Sequence, residues 1–424
     1  MKSQPNIHII GAGLSGLAAA ITLEKHGYKA TILESSNSVG GRVKTSLQKG
    51  YHLDHGFQVM LDAYPKAKEF LDYKSLNLQK LLPGAVVFKN GRQYLIGDPL
   101  RSLSLLWPTM TFPLASLSDK LKVLKLNIEL KKKSLAEIFS TEETTTQDYL
   151  ENYGFSHDMI SNFFKPFFTG IFLEPNLETS SRKFEFIYKM FGEGHAVIPK
   201  DGIVTISNQL HSKLKTTDVK FNNRVENISL EEITMSDGSI LKSDYTIAAT
   251  EASQLIPNLK NQKTDWKSCQ CLYFECEDRV IDQPVIGLVA DHDALINNLF
   301  YHTSIKGKPA KKELLSVTVV KNHNLSENEL TDRVVSELSK YCKIAFIKHL
   351  KTINIPRGLP KLNNIRYDLA PSETQLTDQV FLAGDHTLNG SQNAALLSGQ
   401  RAAEGIIEKI EGSGITGKIT SEYL

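Results

Sequence analysis

The sequence predicts an α/β protein, with a parallel-stranded domain assembled from three separated pieces of chain and a second domain of α+β character inserted twice. Three observations predict it. At the N-terminus the apolar run Asn6-Ile-His-Ile-Ile10 reads as a buried strand, Leu14 to His26 as a helix of small and apolar residues, and Lys29-Ala-Thr-Ile-Leu-Glu34, after the break at Gly27-Tyr28, as a second strand. Two parallel strands need a crossover helix, so this is the opening of a β-α-β unit. Strand patterns return at Val219 to Val225, at Ile233 to Leu241 with a turn at Asp237-Gly238, and at Tyr245-Thr-Ile-Ala-Ala249. Near the C-terminus Val380-Phe-Leu-Ala383 and a small-residue helix from about Ser391 to Ile410 restore the strand-then-helix order.

The intervening stretches differ in character. Residues 71–195 carry helical patterns, aromatics and prolines, while 257–365 mix strands such as Leu314 to Val320 with an amphipathic helix near Glu327 to Tyr341. The expected boundaries are therefore 1–70, 196–256 and 366–424 for the parallel domain, and 71–195 with 257–365 for the inserted one. A chain of 424 residues exceeds what one core organises, in keeping with two domains.

Composition narrows the function. Apolar residues at 41% and charged residues at 23% exclude a disordered chain and a polytopic membrane protein. Forty-nine basic against 47 acidic residues leave +2, too little to hold a nucleic-acid backbone, so no nucleic-acid partner is expected. The four cysteines cannot build a disulfide framework; Cys269, Cys271 and Cys276 lie in a strand-like stretch without paired CxxC spacing, which reads as buried thiols and no metal site. The run Ile7 to Ile10 is too short for a signal peptide, and no window approaches the ~18 apolar residues of a membrane span. The expectation is a cytoplasmic protein, still able to rest peripherally on a membrane.

Gly11-Ala-Gly13-Leu14-Ser15-Gly16 sits where the first strand hands over to the first helix. The first glycine permits the tight turn, the second lets backbone approach a pyrophosphate, and the third lets helix pack on sheet. The N–H groups that open the helix then face the phosphates, as in a Rossmann-like site. Glu34, 23 residues after Gly11 and followed by Ser35, can accept from both hydroxyls of an adenosine ribose. A 2′-phosphate would be repelled there, which disfavours NADP and leaves NAD and FAD open. A solvated carboxylate at a strand end is the other reading of Glu34.

Val39-Gly40-Gly41-Arg42 follows, with two more glycines and a guanidinium suited to phosphate. With this motif the sequence resembles the flavin amine oxidase superfamily, which includes monoamine and polyamine oxidases, protoporphyrinogen oxidases and phytoene-type desaturases. The resemblance implies FAD, with Arg42 beside its pyrophosphate and Asp54-His-Gly56 with Tyr64-Pro65 entering beneath the flavin. Leu382-Ala-Gly384-Asp385, Gly390-Ser391 and Ala394 to Gly399 are similar to the C-terminal motif of these enzymes. On that likeness Gly384, Asp385, Ser391 and Ala394 join the cofactor contacts, and the last helix points its N-terminus at the flavin. Weaker matches are Arg224-Val225, with Val225 at the adenine, and Ala248-Ala-Thr250-Glu-Ala. No cysteine adjoins the C-terminal motif, so FAD is expected to be non-covalent.

No second GxGxxG with strand and helix flanks occurs, so the expected chemistry is hydride removal from an organic substrate, with reoxidation by oxygen or a quinone. The stretch His386-Thr-Leu-Asn-Gly-Ser391 lacks the aromatic residue amine oxidases carry there, and Gly194-His-Ala-Val-Ile-Pro199 resembles desaturase-like members. The expected activity is dehydrogenation of a hydrophobic small molecule. The alternatives are an amine oxidase releasing hydrogen peroxide and, from another class, a non-catalytic FAD-binding protein. No catalytic side chain is identified beyond the candidates Gln58 and His386. Two segments each keep two readings. Leu100 to Leu130, with Leu121, Leu124 and Ile128 at helical spacing among lysines, is either a core helix with solvated lysines or a basic amphipathic mouth on a bilayer. The cluster Phe163 to Phe172 is either core or cavity wall.

Overall fold

The computed structural model describes residues 4–259, 263–305 and 312–412. Its first sheet has five parallel strands in the order Asp218–Lys220, Ala30–Leu33, Ile7–Ile10, Tyr245–Ala248 and Val380–Leu382. Every residue of Ile7–Ile10 is buried, which is why this strand reads as a continuous apolar run instead of an alternating one. Helix Leu14–Lys25 follows it, and helix Gln392–Glu411 follows the edge strand Val380–Leu382. These two helices touch through backbone. A Cβ on Gly399 would stand 2.0 Å from the Ser15 carbonyl oxygen, and one on Gly16 equally close to that of Gly11.

The run Val219 to Val225 is not one strand. Asp218–Lys220 joins the parallel sheet, and Val225–Ile228 starts a separate antiparallel sheet with Glu232–Met235 and Ile240–Lys242. Between them Asn222 takes a left-handed conformation, φ 56°, which ends the first strand.

The second large sheet has seven strands in the order Ile347–Pro360, Trp266–Cys276, Glu313–Val319, Ile296–Tyr301, Ile286–Val289, Gly84–Lys89 and Arg92–Gly97. All its pairings are antiparallel except that of Ile286–Val289 with Gly84–Lys89. The four cysteines are buried, three of them on Trp266–Cys276, and burial pushes the thiols of Cys269 and Cys276 up to about 12.

Helices Leu117–Lys132, Lys165–Phe172 and Ser181–Glu193 complete the surroundings of the site. Pro166 lacks the N–H that would continue the preceding turn, and the chain enters this helix through a π-helical segment, Ile160–Phe164. Phe164, Phe168, Phe172 and Phe184 are fully buried and meet ring to ring, each removal from water worth ~1.5–3 kcal/mol. Among the described residues, no helix is long and apolar enough to cross a membrane.

Candidate active site

A cavity of about 1290 Å3 runs through the molecule, larger than the ~300–1,000 Å3 usual for one small ligand. Its two ends differ in chemistry. One is lined by Gly11, Gly13, Leu14, Ser15, Glu34, Ser35, Gly40, Gly41, Arg42, Val225, Gly384, Asp385 and Ser391, residues drawn from stretches far apart in the chain. Gly16 and Ala394 stand behind this surface: Gly16 is packed on Gly11, and Ala394 is buried, its N–H donating to the Ser391 hydroxyl at 3.0 Å.

The glycines fit this end for separate reasons. Nothing lies within 4 Å of where a Gly13 Cβ would stand, so its backbone faces open space, while a Cβ on Gly41 would lie 3.3 Å from the Gly13 Cα. The two loops therefore touch. Gly40 holds φ 116°, and its N–H donates to the Ala12 carbonyl at 2.9 Å. Helix Leu14–Lys25 has no side-chain cap, and its first turn carries no acidic residue. Its leading N–H groups are left for an anion.

Glu34 is buried at the end of its strand. Oε1 accepts from the Ser36 N–H at 2.8 Å and hydroxyl at 2.7 Å, and Oε2 from the Ala12 N–H at 2.8 Å. Of about four acceptor positions on a carboxylate, one on Oε2 is left. Glu34 is thus a fixed acceptor, held by the glycine turn itself. Arg42 pairs with the buried Asp385, donates to the Gly358 carbonyl at 3.1 Å and lies 5.0 Å over the Trp266 ring. Sequence reasoning missed Trp266 and Gly358, because nothing local marks either as facing a loop more than 200 positions away.

Both candidate catalytic side chains line the cavity. Gln58 Nε2 donates to the carbonyls of Arg42 and His55 at 3.1 and 2.9 Å, tying the arginine loop down. Burial holds His386 below its ordinary pKa; Asp385 opposes that shift and Arg42 adds to it. A neutral His386 is an acceptor or hydrogen-bond donor and not a standing cation. His55, Gly56 and Tyr64 also line the cavity, as do Arg224, Ala249, Thr250 and Glu251.

The other end of the cavity is walled by Phe163, Phe167, Ile171, Tyr188 and Phe191 and reaches Leu106, Met110, Leu117, Leu121 and Leu124. The phenylalanine cluster serves both as core, through Phe164 and Phe172, and as wall, through Phe163 and Phe167. The core-helix reading of Leu121, Leu124 and Ile128 is corrected: Leu126 and Leu130 turn inward, while these three are exposed, with Leu103 at 84%, Trp107 at 73% and Leu117 at 73% alongside. The heptad-like spacing is genuine, but its more apolar stripe faces outward.

A family model described as flavin containing amine oxidoreductase matches residues 14–407, which takes in the aromatic end of the cavity and most of the glycine-lined end. The chain belongs to that family. That family comprises flavin-containing oxidoreductases, and the relatives that follow are enzymes. Protoporphyrinogen oxidase 2 of Arabidopsis thaliana is 25% identical over 173 residues, 40% of this chain and 32% of that protein, so the match spans about a third of the plant protein's length. An L-amino-acid oxidase of Daboia russelii is 23% identical across 95% of this chain and 88% of its own. The solved structure of a CLA-producing fatty acid isomerase from P. acnes shares the fold, with TM-score 0.70 at 16% identity over 94% of this chain and 98% of that one.

The donor set of this site fits a flavin dinucleotide. It offers an uncapped helix N-terminus, an open glycine surface, a guanidinium and a fixed carboxylate along one wall. Among the described residues no group of three His, Cys, Asp or Glu could hold a metal.

Proposed function

We propose that the protein is an FAD-dependent dehydrogenase that removes hydride from a hydrophobic organic substrate. FAD is held non-covalently on a Rossmann-like domain formed by 1–70, 196–256 and 366–424, and the substrate is held by 71–195 and 257–365. The observation that carries this reading is the single cavity with a glycine-lined end and an aromatic end. Bound FAD would supply the hydride acceptor.

The chain's own residues divide the remaining work. The first turn of helix Leu14–Lys25 and Arg42 would receive phosphate charge, the one acceptor position left on Glu34 Oε2 would take a single ribose hydroxyl, and Val225 would border the adenine. Phe163, Phe167 and Phe191 exclude water and align an apolar substrate, which hydride transfer needs more than a strong base. Gln58 fixes the arginine loop.

The substrate reaches this site from a lipid surface. Leu106, Met110, Leu117 and Leu121 are exposed and line the cavity, with Lys120 lining it beside them, a pairing of apolar and cationic groups suited to an anionic bilayer.

The decisive experiment is purification, flavin extraction and anaerobic titration with carotenoid precursors, porphyrinogens and amines. Bleaching of bound FAD by an apolar substrate is the expected result. A protein without FAD defeats the cofactor reading, bleaching by amines with peroxide release makes it an amine oxidase, and bleaching by none of the three leaves a binding protein.

A further inference from the structure

Lys183 is the third residue of helix Ser181–Glu193, it is 7% exposed, and it lines the cavity. Its Nζ donates to the Gly390 carbonyl at 3.2 Å and lies 5.8 Å from the Phe172 ring centroid. Gly390 immediately precedes Ser391, the N-cap of helix Gln392–Glu411. A buried ammonium is therefore held at the positive end of one helix while standing in the first turn of another, where a cation is disfavoured on both counts.

The surrounding charges do not compensate it. Asp385 is paired with Arg42, and Glu174 accepts from the Thr179 N–H at 2.7 Å and faces Lys267 at 3.9 Å. Among the described residues no carboxylate lies within ion-pair distance of Lys183. Burial lowers its pKa to about 8; Lys267 and Arg42 add to that, and Asp385 and Glu174 oppose it. Two of its three donors have no protein acceptor among the described residues. An ammonium so placed, unpaired and facing a cavity, marks a candidate functional position.

We propose that Lys183 is the counter-charge for the negative charge that hydride transfer brings to the cofactor. The inference rests on the FAD reading above. Dehydrogenation of a –CH2–CH2– unit moves two electrons and one proton as hydride, releases a second proton to solvent, and leaves the reduced cofactor one unit more negative. Reoxidation passes the hydride's two electrons and proton, with one proton from solvent, to oxygen or a quinone. A protonated Lys183 favours the reduced state, and reduction in turn raises the affinity of Lys183 for its proton.

The test is the midpoint potential of the FAD-loaded protein, measured by dye equilibration against pH for wild type, Lys183→Met and Lys183→Arg. Lys183→Met is expected to disfavour reduction at least tenfold, ~30 mV for a two-electron couple, and Lys183→Arg to restore it. In the wild type, reduction above about pH 8 takes up one further proton onto Lys183, steepening the potential by ~30 mV per pH unit. This break in slope needs no variant, so it stands even if a substitution impairs folding. A Lys183→Met protein that binds FAD with an unchanged potential overturns the inference, as does a wild type without the break. A wild type that binds no FAD overturns the cofactor reading and this inference with it.

Discussion

The glycine-lined end of the cavity and its aromatic end keep their shapes by different means. At the first, backbone rests on backbone: Gly16 on Gly11, Gly399 on Ser15, Gly41 on Gly13, with Glu34 bridging from its strand to the Ala12 amide. At the second, rings rest on rings, Phe163 against Phe167 at 5.6 Å and Phe167 against Phe191 at 5.5 Å, over a helical face that opens to solvent. Backbone contact tolerates no added atom. Ring contact tolerates exchange of one apolar side chain for another of similar volume. A rigid grip suits an invariant ligand such as a dinucleotide, and an adaptable wall suits a substrate that differs among relatives.

The strongest way to break this contrast is Gly16→Val. Its Cβ would stand 2.0 Å from a backbone oxygen that cannot swing aside, and a loss of about 3 kcal/mol or more, with loss of flavin, is expected in a denaturant titration. The counterpart Phe167→Leu should cost about 1.5 kcal/mol or less and leave flavin content intact. Equal losses from the two would remove the distinction.

Glu34→Ala sharpens it. The substitution leaves the Ala12 and Ser36 donors unmet and removes the acceptor proposed for ribose, so FAD should dissociate about tenfold more readily in equilibrium dialysis, ~1.4 kcal/mol. Unchanged affinity would remove Glu34 from the ribose role.

A smaller effect is expected with acid. Burial raises the Glu24 carboxyl, but the N–H groups of Lys215, Thr216 and Thr217 outweigh it and bring the pKa from 4.5 to about 2. The folded value lies below the unfolded one, so the stabilisation is present above about pH 4.5 and is lost as pH falls towards 2. Glu24→Gln should flatten that limb in thermal melts between pH 5 and 2.5.

The smallest effect on the fold is expected at the open face. Leu121→Glu with Leu117→Glu should leave stability within about 0.5 kcal/mol, since both side chains are exposed, while abolishing co-sedimentation with anionic vesicles. Retained binding would place the lipid contact elsewhere.

The two ends were unequally legible in the sequence. The glycine-lined end follows from local rules, because each turn needs glycine within a few residues of a strand end, and Gly13, Arg42 and Asp385 do meet at one cavity. The aromatic end offered only composition. Phe163 and Phe164 are neighbours with the same side chain, yet one lines the cavity and the other is core. Lys183 lies among residues 71–195, and no periodicity shows a lysine turning inward.

By itself the sequence determined the strand-glycine-helix opening, the placement of the acidic residue that ends the second strand, and membership in a chemistry that needs both. Only the tertiary structure decided which apolar residues remain in water and where a lone ammonium meets the start of the last helix. Turn geometry and strand burial are set by neighbours along the chain, whereas exposure and electrostatics are summed over neighbours in space.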